Sequence, residues 1–332
     1  MASLTLGTRG SLLALTQSRT TKAALEADGS TQVALEIMRT TGDVQIDRPL
    51  PEIGGKGLFT QELDEALLDG RVDLAVHSLK DLPTELPDGL CLAATPARVD
   101  PRDVLVGPKG ERTSLASLEP GAVVGTSSLR RAALLKAFRR DVEPRNIRGN
   151  VDTRLAKVDA GQYDAIILAG AGLMRLGLAD RVVEWFERTA WLPAPAQGAL
   201  GVVTRTDDDE TRKLVEALND PPTRTAVLAE RALLQSLGGG CQVPIGALGV
   251  PYDRGLRLWG LVASADGTQV VRGDATGLAA EPDELGERLA QLLRERGAGD
   301  ILKDVFDAQD ADTGQDALSD PGAVAGRDLS RP

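Results

Sequence analysis

The sequence predicts an α/β protein with two doubly wound domains and a smaller α+β domain that contains an antiparallel sheet. Strand-like apolar runs alternate with segments of helical period over residues 4–204, the pattern of sheets covered by helices on both faces. This alternation occurs twice, with a similar arrangement each time. Beyond residue 221 the strand-like runs surround a turn signal at Asp266 and Gly267, which is typical of a hairpin.

The first domain is predicted to begin with a strand, a turn and a helix that Ser11 caps. Its elements are expected at residues 4–6 (strand), 11–27 (helix), 33–38 (strand), 58–68 (helix) and 74–76 (strand). Glycine and proline are frequent over residues 42–57, so this segment is expected to be a mobile loop that covers a site.

The second domain repeats this order, and the alternation of strands and helices favours parallel sheets in both domains. Its elements are expected at residues 103–106 (strand), 122–125 (strand), 126–138 (helix) and 165–169 (strand). A further helix is expected to follow residues 147–154 and to end at residue 160. A proline-rich segment at residues 191–198 is interpreted as a hinge that leads into a further strand at residues 199–204.

The third domain is predicted to combine two helices with antiparallel strands. Its elements are expected at residues 222–237 (helix), 247–250, 256–263 and 268–273 (strands) and 281–296 (helix). The end of the chain is rich in Asp, Gly and Ser and is expected to be disordered. We assign residues 1–98 and 199–218 to domain 1, 102–193 to domain 2, 221–305 to domain 3 and 306–332 to an acidic tail.

The charge balance disfavours two classes of partner. Asp and Glu number 49 against 38 Lys and Arg, a net charge of −11, and aromatic residues make up only 3%, which is unfavourable for nucleic acid. No stretch approaches the ~18 apolar residues of a membrane span. Residues 126–154 reverse the balance with eight bases and three acids, which predicts a local site for a small polyanion. No metal site is predicted.

Basic and hydroxyl side chains lie where predicted strands end and helices begin. They are Arg9 and Ser11, then Thr126, Ser127, Ser128, Arg130 and Arg131, then Arg148 and Arg154. A helix N-terminus offers N–H groups and a positive dipole end, and guanidinium groups bind carboxylates in a planar fork. These positions therefore predict anion binding, although a helix cap alone is the simpler interpretation of Thr126 or Ser127.

The segment from His77 to Pro83 follows a predicted strand, at the edge where open α/β sheets bind ligands. Lys80 is predicted to hold a carboxylate, and Asp81 to act as a general acid and base. A surface ion pair between the two is the alternative. His77 is the only histidine, and we expect it to be structural, because no strand-to-helix serine elbow accompanies it.

Cys241 lies in a loop, because three glycines precede it and Pro244 follows. The other cysteine, Cys91, is far away in the sequence, and no signal peptide opens the chain, so we expect reduced thiols and a cytoplasmic protein. Cys241 is therefore a candidate attachment point or nucleophile.

Six motifs in order resemble those of the porphobilinogen deaminase (hydroxymethylbilane synthase) family, at residues 8–14, 54–59, 77–83, 126–131, 148–154 and 239–246. The resemblance extends over residues 3–305. It implies a cytoplasmic transferase of tetrapyrrole (heme and porphyrin) biosynthesis, which joins four porphobilinogen molecules head to tail and releases ammonia to give hydroxymethylbilane. The implied cofactor is a dipyrromethane primer joined to Cys241 by a thioether.

The resemblance also assigns roles to individual residues. Catalysis is assigned to Asp81, whose carboxylate would stabilise the developing positive charge on the pyrrole N–H groups and carry protons. Cofactor binding is assigned to Cys241, Ser78, Lys80, Asp81, Thr126, Ser127, Ser128, Arg130, Arg131, Arg148 and Gly170. Substrate binding is assigned to Arg9, Ser11, Lys56, Phe59, Arg148, Arg154, Arg175 and Gln197. Phe59 is expected to stack over the incoming ring, and Lys56 to steer its acid groups.

Two other functions fit part of the pattern. A two-lobed binding protein for a small organic polyanion would have the same doubled, periplasmic-binding-protein-like domains and hinge, but would need neither a tether at Cys241 nor a proton carrier at Asp81. A cysteine hydrolase with His77 as base would leave Cys241 open to thiol reagents. We expect a monomer that takes porphobilinogen as a small-molecule substrate and binds neither nucleic acid nor a membrane.

Overall fold

The computed structural model describes residues 1–40, 60–239 and 243–318, which form three sheets with helices packed around them. The strands are β1 (Ala2–Arg9), β2 (Thr31–Met38), β3 (Leu74–Ser78), β4 (Leu90–Ala94), β5 (Asp103–Val106), β6 (Val123–Gly125), β7 (Glu143–Arg145), β8 (Ala165–Ala169), β9 (Glu184–Trp185), β10 (Leu200–Arg205), β11 (Ile245–Tyr252), β12 (Gly255–Ala263) and β13 (Val270–Leu278). The α-helices are α1 (Leu12–Leu25), α2 (Gln61–Leu68), α3 (Leu129–Phe138), α4 (Val151–Asp159), α5 (Gly170–Arg175), α6 (Asp209–Glu216), α7 (Pro221–Ser236), α8 (Pro282–Leu293) and α9 (Gly299–Leu318). We use domain 1, domain 2 and domain 3 for the three sheets in chain order, each with its helices.

The sheet of domain 1 has the strand order β2-β1-β3-β10-β4. β1 is parallel to β2 and β3, but β10 is antiparallel to both β3 and β4. The prediction of a parallel sheet is therefore wrong for β10. The physical reason is its point of entry: Leu200 pairs with Ser78 at the carboxyl end of β3, so the strand must run backwards.

The sheet of domain 2 has the equivalent order β7-β6-β8-β5-β9. β6 is parallel to β7 and β8, whereas β5 is antiparallel to β8, so the parallel prediction is wrong here also. Asp103 pairs with Ala169, which places the start of β5 beside the carboxyl end of β8. In both domains the strand that follows a crossing between domains thus begins at the edge where ligands are expected to bind.

Serine side chains cap the two helices that follow β1 and β6. The Ser11 Oγ accepts a hydrogen bond of 3.3 Å from the Ala14 N–H at the start of α1. The Ser128 Oγ accepts one of 3.5 Å from the Arg131 N–H at the start of α3. Ser11 is confirmed as the predicted cap, while the helix predicted from residue 126 begins later, at Leu129.

Glu230 on α7 links all three domains and is fully buried. Its two carboxylate oxygens accept hydrogen bonds of 2.6 and 3.1 Å from the Arg98 guanidinium, which lies on the crossing from domain 1 to domain 2. They also accept from the Ala196 N–H of the return crossing at 2.5 Å and from the Gly249 N–H of β11 at 2.7 Å. One buried carboxylate therefore fixes both crossings against domain 3.

Domain 3 contains the antiparallel sheet β11-β12-β13, with α7 and α8 packed on it. Gly297 has φ +99° and breaks the chain direction between α8 and α9. Disorder was expected beyond residue 306, but the described backbone is helical to Leu318, so the expected boundary differs; residues 319–332 lie outside the described residues. Within the described ranges, no helix is long and apolar enough to span a membrane.

Candidate active site

The predicted site residues of domains 1 and 2 lie where strands end. Ser78 ends β3, and Lys80 and Asp81 form a 3₁₀ turn directly after it. Thr126 follows β6, and Gly170 follows β8. Lys80 after β3 and Arg131 on α3 both donate to the Gln197 side chain, which brings the carboxyl ends of the two sheets to the two sides of one cleft.

Asp103, at the start of β5, holds two arginines in the interior of domain 2. Its Oδ2 accepts a 2.6 Å hydrogen bond from Arg130 Nη1, and its Oδ1 accepts bonds of 3.0 and 2.8 Å from Arg131 Nε and Nη2. The Trp191 indole N–H donates to Oδ2 at 3.1 Å. Burial alone would raise the pKa of the Asp103 carboxyl, but the charges and hydrogen bonds of the two arginines outweigh it and hold the pKa well below its usual range.

Gln197 connects this cluster to domain 1. Its Nε2 donates to Asp103 Oδ1 at 2.8 Å and to the Pro101 carbonyl at 2.7 Å. Its Oε1 accepts from Arg131 Nη2 at 3.3 Å and from Lys80 Nζ at 3.4 Å. Gln197, which the sequence analysis assigned to substrate binding, is fully buried. Its side chain contacts Lys80 of domain 1 and Arg131 and Asp103 of domain 2.

Lys80 and Asp81 form the domain 1 side of the cleft. Loss of water around the Lys80 ammonium lowers its pKa to about 8, and the charges of Arg131 and Arg130 lower it further while Asp81 and Asp103 oppose the shift. Lys80 is half-buried, whereas the Asp81 side chain is exposed. The carboxylate is therefore accessible to a molecule in the cleft.

Arg148, Arg154 and Arg175 add further positive charge. Burial lowers the pKa of Arg154 to about 10, with repulsion from Arg131 and Arg148 acting in the same direction and Asp81 opposing it. Arg154 Nε donates to the Gly149 carbonyl at 2.8 Å. Arg175 Nη2 donates to the Gly198 carbonyl at 2.8 Å, and burial lowers its pKa to about 10 as well. Arg131, Arg148, Arg154 and Asp81 are thus close enough to interact.

The hydroxyl residues before α3 have local hydrogen bonds. Ser127 Oγ donates to the Ile147 carbonyl at 2.5 Å, and Thr126 Oγ1 accepts from the Ser128 N–H at 3.2 Å. These bonds tie the start of α3 to the segment that carries Arg148. Gly170 has no room for a side chain, because an added Cβ would lie 2.4 Å from the Trp185 ring.

On domain 1, a buried glutamine orients Ser78. Gln17 on α1 donates from Nε2 to Ser78 Oγ at 2.9 Å. His77 lies on the preceding position of β3 and is buried, and its Nε2 has no hydrogen-bond partner in the part of the chain described here. Burial, and secondarily the charge of Arg9, lowers the pKa of His77 to about 4. The imidazole is therefore neutral near pH 7, which fits the structural role expected for it.

Three predicted site residues, Lys56, Phe59 and Cys241, lie outside the described residues, as does the predicted loop at 42–57. Two residues of the site were not predicted. Asp103 is an acid at the start of an otherwise apolar strand, and Gln17 is an amide on the buried face of a helix; in each case the polar residue in an apolar setting was the available signal.

The arrangement brings five basic side chains together. Lys80 interacts electrostatically with Asp81, Asp103, Arg130 and Arg131. Arg154 interacts with Asp81, Arg131 and Arg148. Fold and site together define a two-lobed α/β protein in which basic side chains at the strand ends lie near an exposed carboxylate.

Comparison with known proteins identifies the family. A family model described as "Porphobilinogen deaminase, dipyromethane cofactor binding domain" matches residues 4–213, and one described as "Porphobilinogen deaminase, C-terminal domain" matches residues 224–295. Porphobilinogen deaminases from Syntrophobacter fumaroxidans and Roseiflexus castenholzii are 49% and 51% identical, over 91% and 90% of this chain and 98% of each relative. The chain belongs to the porphobilinogen deaminase family of transferases.

Solved structures of two-lobed binding proteins are more distantly similar. A periplasmic substrate-binding protein of an ABC transporter from Coxiella burnetii is 15% identical, with a TM-score of 0.42 over 67% of this chain and 94% of its own. The VFT2 domain of Bordetella pertussis BvgS is 14% identical, with a TM-score of 0.40 over 64% of this chain and 85% of its own.

The described residues fit the dipyrromethane cofactor of the family. Each pyrrole ring of that group carries an acetate and a propionate, and the basic side chains of Lys80, Arg131 and Arg148 are of the right sign and kind to bind them. The serine and threonine hydroxyls before α3 supply further donors.

Proposed function

We propose that this chain joins four porphobilinogen molecules head to tail on its covalent primer, with Asp81 as the catalytic residue. In each step the C–N bond of the substrate's aminomethyl group breaks and ammonia leaves. A C–C bond forms to the free α-carbon of the terminal ring, which loses its proton. After four additions the C–C bond between the primer and the first unit added breaks, the primer's α-carbon regains a proton, and water adds to the methylene carbon of that first unit, which releases hydroxymethylbilane. The observation that carries the proposal is the exposed Asp81 carboxylate beside Lys80 and a cluster of arginines.

The bound primer supplies the nucleophilic α-carbon and the first carboxylates of the growing chain. Lys80, Arg131, Arg148 and Arg154 would bind acetate and propionate groups and so fix the rings relative to Asp81. The buried guanidinium groups of Arg130 and Arg131 need no reorganisation, because the Asp103 carboxylate already orients them.

Asp81 would stabilise positive charge on pyrrole N–H groups as ammonia departs, and then accept the proton from the α-carbon. Gln17 would keep the Ser78 hydroxyl directed so that its O–H remains available as a donor. Substrate binding is assigned to Arg9, Ser11, Arg175 and Gln197. Lys56 would steer the acid groups of the incoming substrate, and Phe59 would stack over its ring.

We further propose that the chain acts as a cytoplasmic monomer and divides into domains at residues 98–102, 193–199 and 218–221. The proposed boundaries are supported by the strand composition of the three sheets, since the domain 1 sheet takes strands only from residues 2–94 and 200–205 among those described. Nucleic acid is not expected as a partner, given the net charge of −11.

The test is the intact mass of the denatured protein, compared between wild type, Cys241→Ser and Cys91→Ser. We expect an excess of two linked pyrrole units on wild type and on Cys91→Ser, and none on Cys241→Ser. Cys91 is a suitable control because its thiol lies on β4 near Thr204, away from the cleft. Unmodified mass in all three proteins, persisting after incubation with porphobilinogen, would contradict the proposal and favour a binding protein.

A further inference from the structure

A cavity lies between residues of domain 1 and domain 2. It has a volume of about 210 Å³ and is lined by Gly10, Ser11, Met38, Arg39 and Asn150. Domain 1 contributes the residues that follow β1 and end β2, which are neighbours because Arg9 pairs with Met38. Domain 2 contributes Asn150, which directly precedes α4. Arg39 and Asn150 have no role in the site described above.

Arg39 provides a charge that the fold does not use. Its side chain is exposed, and within the described residues it forms no ion pair and no side-chain hydrogen bond. It follows the strand next to the one that ends in Arg9, so two guanidinium groups lie on adjacent strand ends. An exposed planar guanidinium at the rim of a cavity is suited to a carboxylate.

The other polar groups of the cavity are donors as well. Asn150 is the residue before α4, but its side chain does not cap that helix, so its amide group remains available. Ser11 uses its oxygen to accept from the Ala14 N–H and keeps its O–H to donate. Among the described residues that line the cavity there is no carboxylate. The described lining therefore has a positive charge and hydrogen-bonding groups that can face an anion.

We propose that this cavity is a docking subsite for a side-chain carboxylate of each incoming porphobilinogen molecule, with Arg39 as its cation and Asn150 as its contact from domain 2. The inference rests on the proposed function. Arg130 and Arg131 are already paired with Asp103, whereas Arg39 is exposed and lines the cavity. If the contact of Arg39 with the substrate carboxylate is equally strong before and during the reaction, it raises the affinity for porphobilinogen without lowering the barrier of the chemical step.

The test compares the steady-state kinetics of Arg39→Gln with those of Arg254→Gln, which removes the same exposed charge between β11 and β12. For Arg39→Gln we expect KM for porphobilinogen to rise about fivefold and kcat to stay within about twofold of wild type. Arg254→Gln should leave both unchanged, and Arg39→Lys should restore part of the affinity. The difference between Arg39→Gln and wild type should shrink as ionic strength increases.

Asn150→Asp tests the contribution of domain 2. Asp precedes helices as well as Asn does, so the variant should fold, but its negative charge should raise KM more than Arg39→Gln does. Equal KM values for Arg39→Gln and Arg254→Gln would overturn the subsite while leaving the proposed function intact. If wild type itself added no pyrrole mass and released no ammonia, the proposed function and the subsite would both fall.

Discussion

Domains 1 and 2 have the same strand order but treat the charges at their strand ends differently. In domain 2, Arg130 and Arg131 are buried and bonded to Asp103, and Trp191 and Gln197 complete the carboxylate's surroundings. In domain 1, Asp81 is exposed, and Lys80 has a pKa lowered to about 8 by loss of water.

The difference separates binding from chemistry. Groups that Asp103 orients in advance can bind carboxylates without reordering, which favours tight and specific contacts. Groups with accessible atoms or shifted pKa values can instead change their protonation state during a reaction. Under the proposed function, domain 2 is therefore the preset half and domain 1 the reactive half. Substitutions on the two halves should therefore affect different measurements.

The largest effect is expected for Asp81→Asn. The amide keeps the shape of the carboxylate but carries no charge and accepts no proton, so kcat should fall by about 10²- to 10⁴-fold. The protein should keep its thermal transition and its covalent pyrrole mass, because the side chain is exposed. The matched control is Asp88→Asn, an exposed acid of domain 1. Activity near that of Asp88→Asn would contradict a catalytic role for Asp81.

Asp103→Ala should instead reduce stability. Removing this carboxylate leaves the Arg130 and Arg131 guanidinium groups buried without their anion, which costs about 3–5 kcal/mol in comparable cases. Denaturant unfolding followed by a probe in domain 2 measures the loss. Asp180→Ala, at an exposed position of the same domain, is the control and should change stability little. If Asp103→Ala unfolded at the control's midpoint, the description of domain 2 as preset would be wrong.

The sequence was sufficient to place many elements and most strand-end residues, because these depend on local signals, but it did not predict β4, β7, β9 or α6. The strand predicted at residues 165–169 is present as Ala165–Ala169, and Ser11 caps α1 as expected. Strand direction was not predictable in the same way. An apolar run such as Val202 and Val203 is the same in either direction, and only the entry of the chain from domain 2 makes β10 antiparallel.

The missing site residues show a similar limit. The arginines were found because a cluster of bases in an acidic chain stands out, but Asp103 is a single acid in the printed sequence. Its importance arises because its two carboxylate oxygens lie within hydrogen-bond distance of the Arg130 and Arg131 guanidinium groups. These arginines are 27 and 28 residues further along the chain. Such pairings are a property of the packed structure, since loop conformation and strand order decide which side chains meet.

A smaller effect is expected from Lys80, and it should depend on pH. With a pKa of about 8, Lys80 is charged at pH 7 and loses its charge above pH 8, so carboxylate binding should weaken as the pH rises. We expect KM for porphobilinogen to increase about three- to tenfold between pH 7 and 9. In Lys80→Arg the rise should disappear, because guanidinium stays charged over this range. Parallel pH profiles of wild type and Lys80→Arg would disprove the assignment.

The smallest effect is expected for His77, although it is the only histidine and lies next to the reactive residues of domain 1. With a pKa lowered to about 4, its imidazole is neutral between pH 5 and 8 and has no proton to donate as an acid. Acid should instead act on stability: the unfolded chain binds a proton near pH 6.5, so folding is disfavoured as the pH falls from there toward 4.

His77→Phe should therefore keep kcat within about threefold of wild type and should remove part of the acid sensitivity of unfolding. The pH dependence of kcat/KM in wild type should show no inflection near pH 6.5 that the variant lacks. An inflection present in wild type and absent in a folded His77→Phe would assign a proton transfer to this imidazole. Domain 1 would then contain two groups that change protonation during the reaction. Asp81 would share with His77 the proton transfer that is here assigned to Asp81 alone.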